Sequence, residues 1–436
     1  MPLLRPSLAN TTFAWLTGFI LPFGWFCLLT GMFWTSDRTH YHKLYYLLVA
    51  LPTFVALLCR PQSVLDLLRN PLVQCFLAFS AYMMLSLQWS DTDNSVAGII
   101  KRPLYIFLLF SLCALLTQRS SDALTRSTQL AALASSLCAL GSLLWFLHSN
   151  YNLLQQGIPE VRLAGYGALY NPLLTSHVYG FFTAWWLASW LSDQRRLPLI
   201  PITSVLILSM LILATGSRTP LVGLAVTLLW LTLLDVNRKS LLLLACVACA
   251  SAAVFCIHPE TLLQRGYSYR PQIWSEALRQ FQESPWFGHG LEHPIRIKLE
   301  DIPDAFAEPH NIQLAVLICG GLAGWALWTL MYGVALAYCI RERQCARVRG
   351  VSALLVFGLT AGMTEGGSFI SRPKEHWFLI WIPLAMLAGL WIARQSKAIS
   401  GKTSGAAAPG SPSNSRPAEA ASPAARAPVP CPGERT

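Results

Sequence analysis

Four short segments of this 436-residue chain place polar side chains at the ends of apolar stretches. The first is Thr215-Gly216-Ser217-Arg218-Thr219-Pro220. Pro220 suits the first turn of a helix, where its missing N–H has no partner to lose, and Ser217 or Thr219 is expected to cap that helix. A guanidinium beside unpaired helix N–H groups attracts phosphate. An arginine that merely anchors the turn at an interface is the plainer alternative. The second is Tyr267-Ser268-Tyr269-Arg270-Pro271-Gln272-Ile273-Trp274. Ile273, Ala277 and Phe281 then recur at helical spacing, so an amphipathic helix is expected up to Ser284-Pro285, with a turn at Gly288-His289-Gly290. Arg270 stands at the start of that helix, a good position for an anion, and Arg265 could assist it. Ordinary loop charge is the alternative. The third is Glu308-Pro309-His310-Asn311. A partly desolvated histidine at a membrane boundary stays neutral near neutral pH and suits a general base. Glu308 could hold its tautomer, and Asn311 could orient a ligand hydroxyl or cap the following helix. An interfacial histidine without chemistry is the alternative. The fourth, Arg162-Leu163-Ala164-Gly165 ahead of Asn171-Pro172, adds another cation.

Other chemistries have less to work with. Asp91-Thr92-Asp93 could hold a divalent cation beside a pyrophosphate, but the run Ser90 to Ser95 also reads as a capped turn, and no metal site is expected there. The chain has no Walker lysine motif and no Gly-x-Ser-x-Gly, which argues against direct use of ATP and against a hydrolase nucleophile.

The elements that must position these residues are set by composition. Apolar residues make up 54% of the chain, charged residues 12%, and the mean hydropathy is +0.46. Soluble domains carry about 25% charged residues. Such a chain needs lipid around it, where only helices and closed barrels satisfy the backbone. The apolar runs do not alternate and are long enough for spanning helices. An all-α polytopic membrane protein is therefore expected, with about twelve transmembrane helices: 13–34, 43–59, 73–89, 103–117, 128–148, 172–191, 197–217, 219–234, 240–257, 311–340, 350–366 and 377–393. The stretch 311–340 is so long that it must tilt or begin as an interfacial segment. This divides the chain into spans in 1–257, a large outer loop in 258–310, spans in 311–396 and a disordered tail in 397–436, rich in Ala, Pro, Ser and Gly.

Lys and Arg concentrate on one side, led by Arg195, Arg196, Arg238, Lys239, Arg341, Arg343, Arg347 and Arg349. The positive-inside rule then puts both termini in the cytoplasm and the 258–310 loop outside. The net charge of +11 is largely this topology signal, and no nucleic-acid partner is expected. The first helix reads as an uncleaved anchor. Cys246 and Cys249 form a C-x-x-C inside an apolar span and read as small helix residues.

The order of the motifs carries more than any one of them. T-G-S-R-T at a helix junction is followed by R-P-Q-I-W-S-E-A-L and P-W-F-G-H-G-L in the large loop, then by P-H-N-I-Q-L and G-G-L-A-G at the start of the next helix. This resembles the O-antigen ligase and polymerase superfamily of bacterial envelope proteins, and most of all its ligases of lipopolysaccharide assembly. The likeness covers about residues 160–330 by motif and the whole chain by helix count and loop placement. The resemblance implies a metal-independent, inverting glycosyl transfer on the outer face of the inner membrane, without a cofactor. The donor it implies is a glycan on undecaprenyl pyrophosphate, and the acceptor is a sugar hydroxyl on the lipid A–core. On this reading Arg218 and Arg270 hold the pyrophosphate, with Arg162 and Arg265 in support, and His310 deprotonates the acceptor. Membrane lipids surround the polyprenyl chain. An O-antigen polymerase or a related protein O-oligosaccharyltransferase is the alternative within the superfamily, and a lipid-linked glycan transporter is the alternative outside it. The near absence of ionisable residues inside the spans argues against a transporter.

Overall fold

In the computed structural model, residues 6–120, 122–155, 161–193, 197–257, 269–299 and 305–405 are described. Arg265, and the tail beyond residue 405, lie outside them.

Each of the twelve apolar stretches is helical. In chain order they form α1 (Leu8–Phe33), α2 (Arg38–Cys59), α3 (Pro71–Trp89), α4 (Val96–Arg119) and α5 (Ala123–Ser149), then α6 (Pro172–Ser192). After these come α7 (Leu199–Ala214), α8 (Thr219–Leu234) and α9 (Arg238–Ile257). The loop helix α10 (Arg270–Glu283) precedes α11 (Ile312–Arg341), α12 (Ala346–Gly362), the short α13 (Glu375–Leu379) and α14 (Trp381–Gly405). Among the described residues, seven of these (α1 to α5, α9 and α11) are long and apolar enough to cross a membrane, while α7 and α8 are shorter apolar helices. The chain is a multi-pass, all-helical membrane protein.

Local chemistry explains the helix starts. Asn70, Asn171 and Asn311 each accept backbone N–H bonds at an N-terminus, and Pro71 and Pro172 follow two of them. Of the boundaries that differ from expectation, three bear on the site. Helix α4 begins at Val96, because Arg102 does not end the span: it pairs with Glu292 at 2.5 Å. The last stretch is split at Ile380, and α14 runs into the start of the expected tail. Helix α12 stops at Gly362, four residues before the expected end at 366, which frees Glu365 to sit in a loop.

Close helix approaches form the core. A Cβ at Gly389 would lie 2.7 Å from the Cys113 carbonyl, so α14 and α4 touch backbone to backbone. Thr117 donates to the Gly389 carbonyl at 2.9 Å across the same contact. At the end of the bundle away from the loop, Arg347 pairs with Asp122, Arg349 with Asp235 and Arg394 with Glu342.

The long α11 is not one continuous rod. It is two segments joined at Gly321, whose φ is +61°. At this break the loop clasps the helix. His289 and Gly290 N–H donate to the Ile318 and Cys319 carbonyls, and Leu322 and Ala323 N–H donate to the Pro285 and Trp286 carbonyls, all at 2.8–3.1 Å. The two backbones are so close that a Cβ at Gly321 or at Gly288 would meet its neighbour at 2.5 Å. The Tyr82 hydroxyl of α3 reaches the carbonyls of both Phe287 and Gly320, at 3.0 and 2.7 Å. Thirty residues thus form one element only because a loop supplies the hydrogen bonds that the helix gives up.

Candidate active site

Helix α10 forms where the spacing places it, from Arg270 to Glu283, and it buries Ile273 and Ala277 against Leu314 and Ile318 of α11. That packing fixes the two ends of the described loop beside one another. Arg270 opens α10 and His310 immediately precedes the cap of α11. Both are flanked by or placed in left-handed backbone: φ is +53° at Tyr269 and +48° at His310. Such conformations cost about 1–3 kcal/mol each and persist only where the surroundings impose them.

The side chains meet on Glu365. Its Oε2 lies 3.3 Å from an Arg270 guanidinium nitrogen, and its Oε1 lies 3.3 Å from His310 Nδ1. The carboxylate is 5% exposed, so it has little water to turn to. Burial alone would raise its pKa, but the His310 hydrogen bond and the charges facing it, Arg270 among them, outweigh burial and hold it below the usual value. A charged carboxylate only accepts, so Nδ1 of His310 carries the proton and Nε2 is left as the acceptor nitrogen of the neutral ring. Glu308 is farther away, at 3.9 Å from the same Nδ1. Its own pKa is raised by burial. The carboxylate nearest the imidazole is therefore Glu365, and Glu308 stands beside it.

This changes the electrostatics expected for His310. Desolvation favours a neutral ring, but the hydrogen bond to Glu365 outweighs it and raises the imidazole pKa above its ordinary value. The base is stronger than an isolated interfacial histidine, and a larger share of it is protonated at neutral pH. Glu365→Gln removes the anion, so the acid limb of a pH–rate profile should move to lower pH. The maximal rate should fall roughly 10- to 100-fold, the worth of a hydrogen bond to a charged group. An unmoved limb in the Gln variant would deny Glu365 this positioning role.

The T-G-S-R-T junction lies against the same cluster. Pro220 occupies the first turn of α8 as expected, but neither Ser217 nor Thr219 caps the helix. Their hydroxyls face arginines instead. Thr219 Oγ1 is 3.5 Å from Arg270, and Ser217 Oγ accepts from Arg162 at 3.2 Å. Arg162 also donates to the Thr215 carbonyl at 2.7 Å. Arg218 is the N-cap residue of α8, next to the Thr219 that Arg270 touches. Asn311 spends its side-chain oxygen on the Gln313 and Leu314 N–H groups, so it caps α11. Asp91 and Asp93 remain in an exposed loop.

Glu308, His310 and Glu365 also bring ligand atoms within 4.8 Å of one another, a grouping that could hold a cation. Arg270 already places a fixed positive charge on Glu365, which opposes a second cation there. Chain spacing could not reveal this cluster, because Glu365 is 55 residues from His310. The one available signal was a lone carboxylate, Thr364-Glu365-Gly366-Gly367, at the end of an apolar run, where ionisable residues mark function by default. Gly366 is required there: its φ is +82°, and a Cβ would lie 2.5 Å from His376.

The O-antigen ligase family model matches residues 203–329, which span the T-G-S-R-T junction, α10 and His310. An O-antigen ligase of Pseudomonas aeruginosa is 48% identical over 381 residues, covering 87% of this chain and 92% of the relative.

Proposed function

The chain belongs to the O-antigen ligase family, and we propose that it transfers a glycan from undecaprenyl pyrophosphate to a sugar hydroxyl of the lipid A–core by a single inverting displacement. The observation that carries this reading is the bridge formed by Glu365 between Arg270 and His310, at 3.3 Å on each side. It joins a group suited to a leaving pyrophosphate to a group suited to an attacking hydroxyl.

In the proposed reaction His310 Nε2 takes the proton of the acceptor hydroxyl. The oxygen attacks the anomeric carbon from the face opposite the pyrophosphate. The bond from that carbon to the phosphate oxygen breaks as the new glycosidic bond forms. The leaving group departs as pyrophosphate-linked lipid, and its growing charge meets Arg270 and Arg218, with Arg162 at the adjoining turn. Arginine suits this task because its charge is permanent and its planar fork fits two phosphate oxygens. Glu365 keeps the base in one tautomer and stabilises the imidazolium that forms, as a carboxylate does beside a catalytic histidine. Glu308 and Asn311 stand beside the acceptor, with Asn311 fixing the helix start that presents His310. Arg265, outside the described residues, belongs to the same proposal as a further phosphate contact.

The charge of the leaving group is carried by guanidinium, so no metal is needed. We place the protein in the inner membrane with both termini cytoplasmic and this face toward the periplasm. The ion pairs of Arg347, Arg349 and Arg394 then lie on the cytoplasmic side, in keeping with the positive-inside rule. The test is reconstitution of the purified protein in liposomes with lipid-linked glycan and lipid A–core. Glycosylated core should form, and exhaustive chelation should leave the rate unchanged. Loss of activity that magnesium or manganese restores would move the chemistry to a metal at Glu308, His310 and Glu365. Movement of the lipid-linked glycan without transfer would favour a transporter.

A further inference from the structure

Beside the reaction centre lie two cavities that the proposed chemistry does not use. One, of about 470 Å³, is walled by Glu308, Gly367 and Ser368. The other, of about 410 Å³, is lined by Arg38, Arg102, Ser371, Arg372 and Lys374. They share Ser368 and Glu292, so they adjoin.

The second cavity has the character of an anion site. Arg38 is tied to Glu375 at 3.1 Å and Arg102 to Glu292 at 2.5 Å, which fixes both guanidinium groups in place. Arg372 and Lys374 form no close ion pair among the described residues and add further positive charge, with the carboxylates of Glu375, Glu308 and Glu292 acting on Lys374 from farther off. Two buried donors also lack partners: Ser371 Oγ, on a residue 7% exposed, and Arg38 Nε. A buried donor without an acceptor is rare in a folded protein and asks for one. A negatively charged oxygen would satisfy both of these donors.

We propose that this cavity is a subsite for an oxyanion, phosphate or carboxylate, carried on the acceptor saccharide, at a distance along the glycan from the hydroxyl that reacts. The proposal rests on the glycosyl-transfer reading above and adds how the acceptor is chosen. An uncharged glycan would leave the cations and the Ser371 hydroxyl unmet. A charged one is held with its reactive hydroxyl leading through the first cavity toward His310.

The experiment compares the wild type with Arg372→Ala, Arg372→Glu and Arg372→Lys in vesicles. Two acceptors are used: the native charged glycolipid, and the same molecule after phosphate removal and carboxyl reduction. With the charged acceptor, Arg372→Ala should raise the acceptor KM roughly 5-fold, the worth of one partly exposed charged contact. Arg372→Glu should raise it further, and Arg372→Lys should restore it. Donor KM and kcat should not change. With the neutralised acceptor, wild type and variants should coincide. Three results overturn the proposal: an unchanged acceptor KM, a penalty that persists with the neutralised acceptor, or a penalty that follows anionic vesicle lipid instead of acceptor charge. The last would assign the cavity to lipid headgroups. If Arg372→Ala does not reach the membrane, Ser371→Ala, which removes only a hydroxyl, is read in the same way. Failure of the underlying reading looks different, since wild type would then make no product with either acceptor. Calorimetric binding of the charged glycolipid, measured without donor, still decides the cavity in that case.

Discussion

Replacing His310 should reduce glycosyl transfer by about 10²- to 10⁴-fold while the protein still reaches the membrane, the range typical for loss of a general base. The choice of replacement matters. His310 sits at φ +48°, a region that histidine and asparagine enter more readily than most residues. Alanine there adds about 1–2 kcal/mol of backbone strain to the loss of the imidazole. His310→Asn keeps the backbone preference and removes the base, so it is the cleaner variant. Transfer assayed in reconstituted vesicles, normalised to protein amount, should collapse for both. Full activity of the Asn variant would sink the general-base role. A loss confined to the Ala variant would assign His310 to holding the loop end, not to proton transfer.

Arg270→Ala should cost about 10²- to 10³-fold in kcat, as removal of one preorganised donor to a developing anion does. Arg270→Lys should recover little, because a point charge does not reproduce a planar fork that contacts both Thr219 and Glu365. The variant also carries a signature in pH. The Arg270 charge lowers the pKa of His310, in opposition to Glu365. Removing the arginine therefore makes His310 more basic and moves the acid limb of the pH–rate profile to higher pH. That is opposite in sign to Glu365→Gln. A pH–rate series on the two variants separates a shared charge network from two independent losses. Limbs that shift in the same direction would be incompatible with the geometry of the bridge.

Much of this architecture is legible in the sequence, for identifiable reasons. Apolar runs bounded by Asn-Pro, Ser-Pro and Gly announce helices whose ends are set by local chemistry, so α3, α6, α8 and α10 start within a few residues of expectation. Arg270 and His310 were visible because they stand at element ends, where motif and position coincide. Glu365 was hidden inside a stretch read as helix. Helix α12 ends at Gly362, and Gly366 packs tightly against His376 just beyond the carboxylate. Nor could spacing show that the hydroxyls of Ser217 and Thr219 serve arginines from two other segments instead of capping α8. The Gly320-Gly321 pair was read as part of one continuous span, since the loop that breaks it lies some thirty residues upstream. What the chain writes locally can be read locally; the bridge, the clasp and the second cavity are written across elements.

The clasp at Gly321 also orders the protein's biogenesis. The Pro285 and Trp286 carbonyls that receive the Leu322 and Ala323 N–H groups are synthesised before them. Hydrocarbon offers those groups no substitute. The bent form of α11 therefore cannot be completed until the preceding loop has folded back onto it. Closure of the loop onto the break, completion of the bent span and the meeting of His310 with Glu365 are thereby coupled. On the proposed reaction, a chain halted before that closure holds Arg270 and His310 apart and makes no transfer.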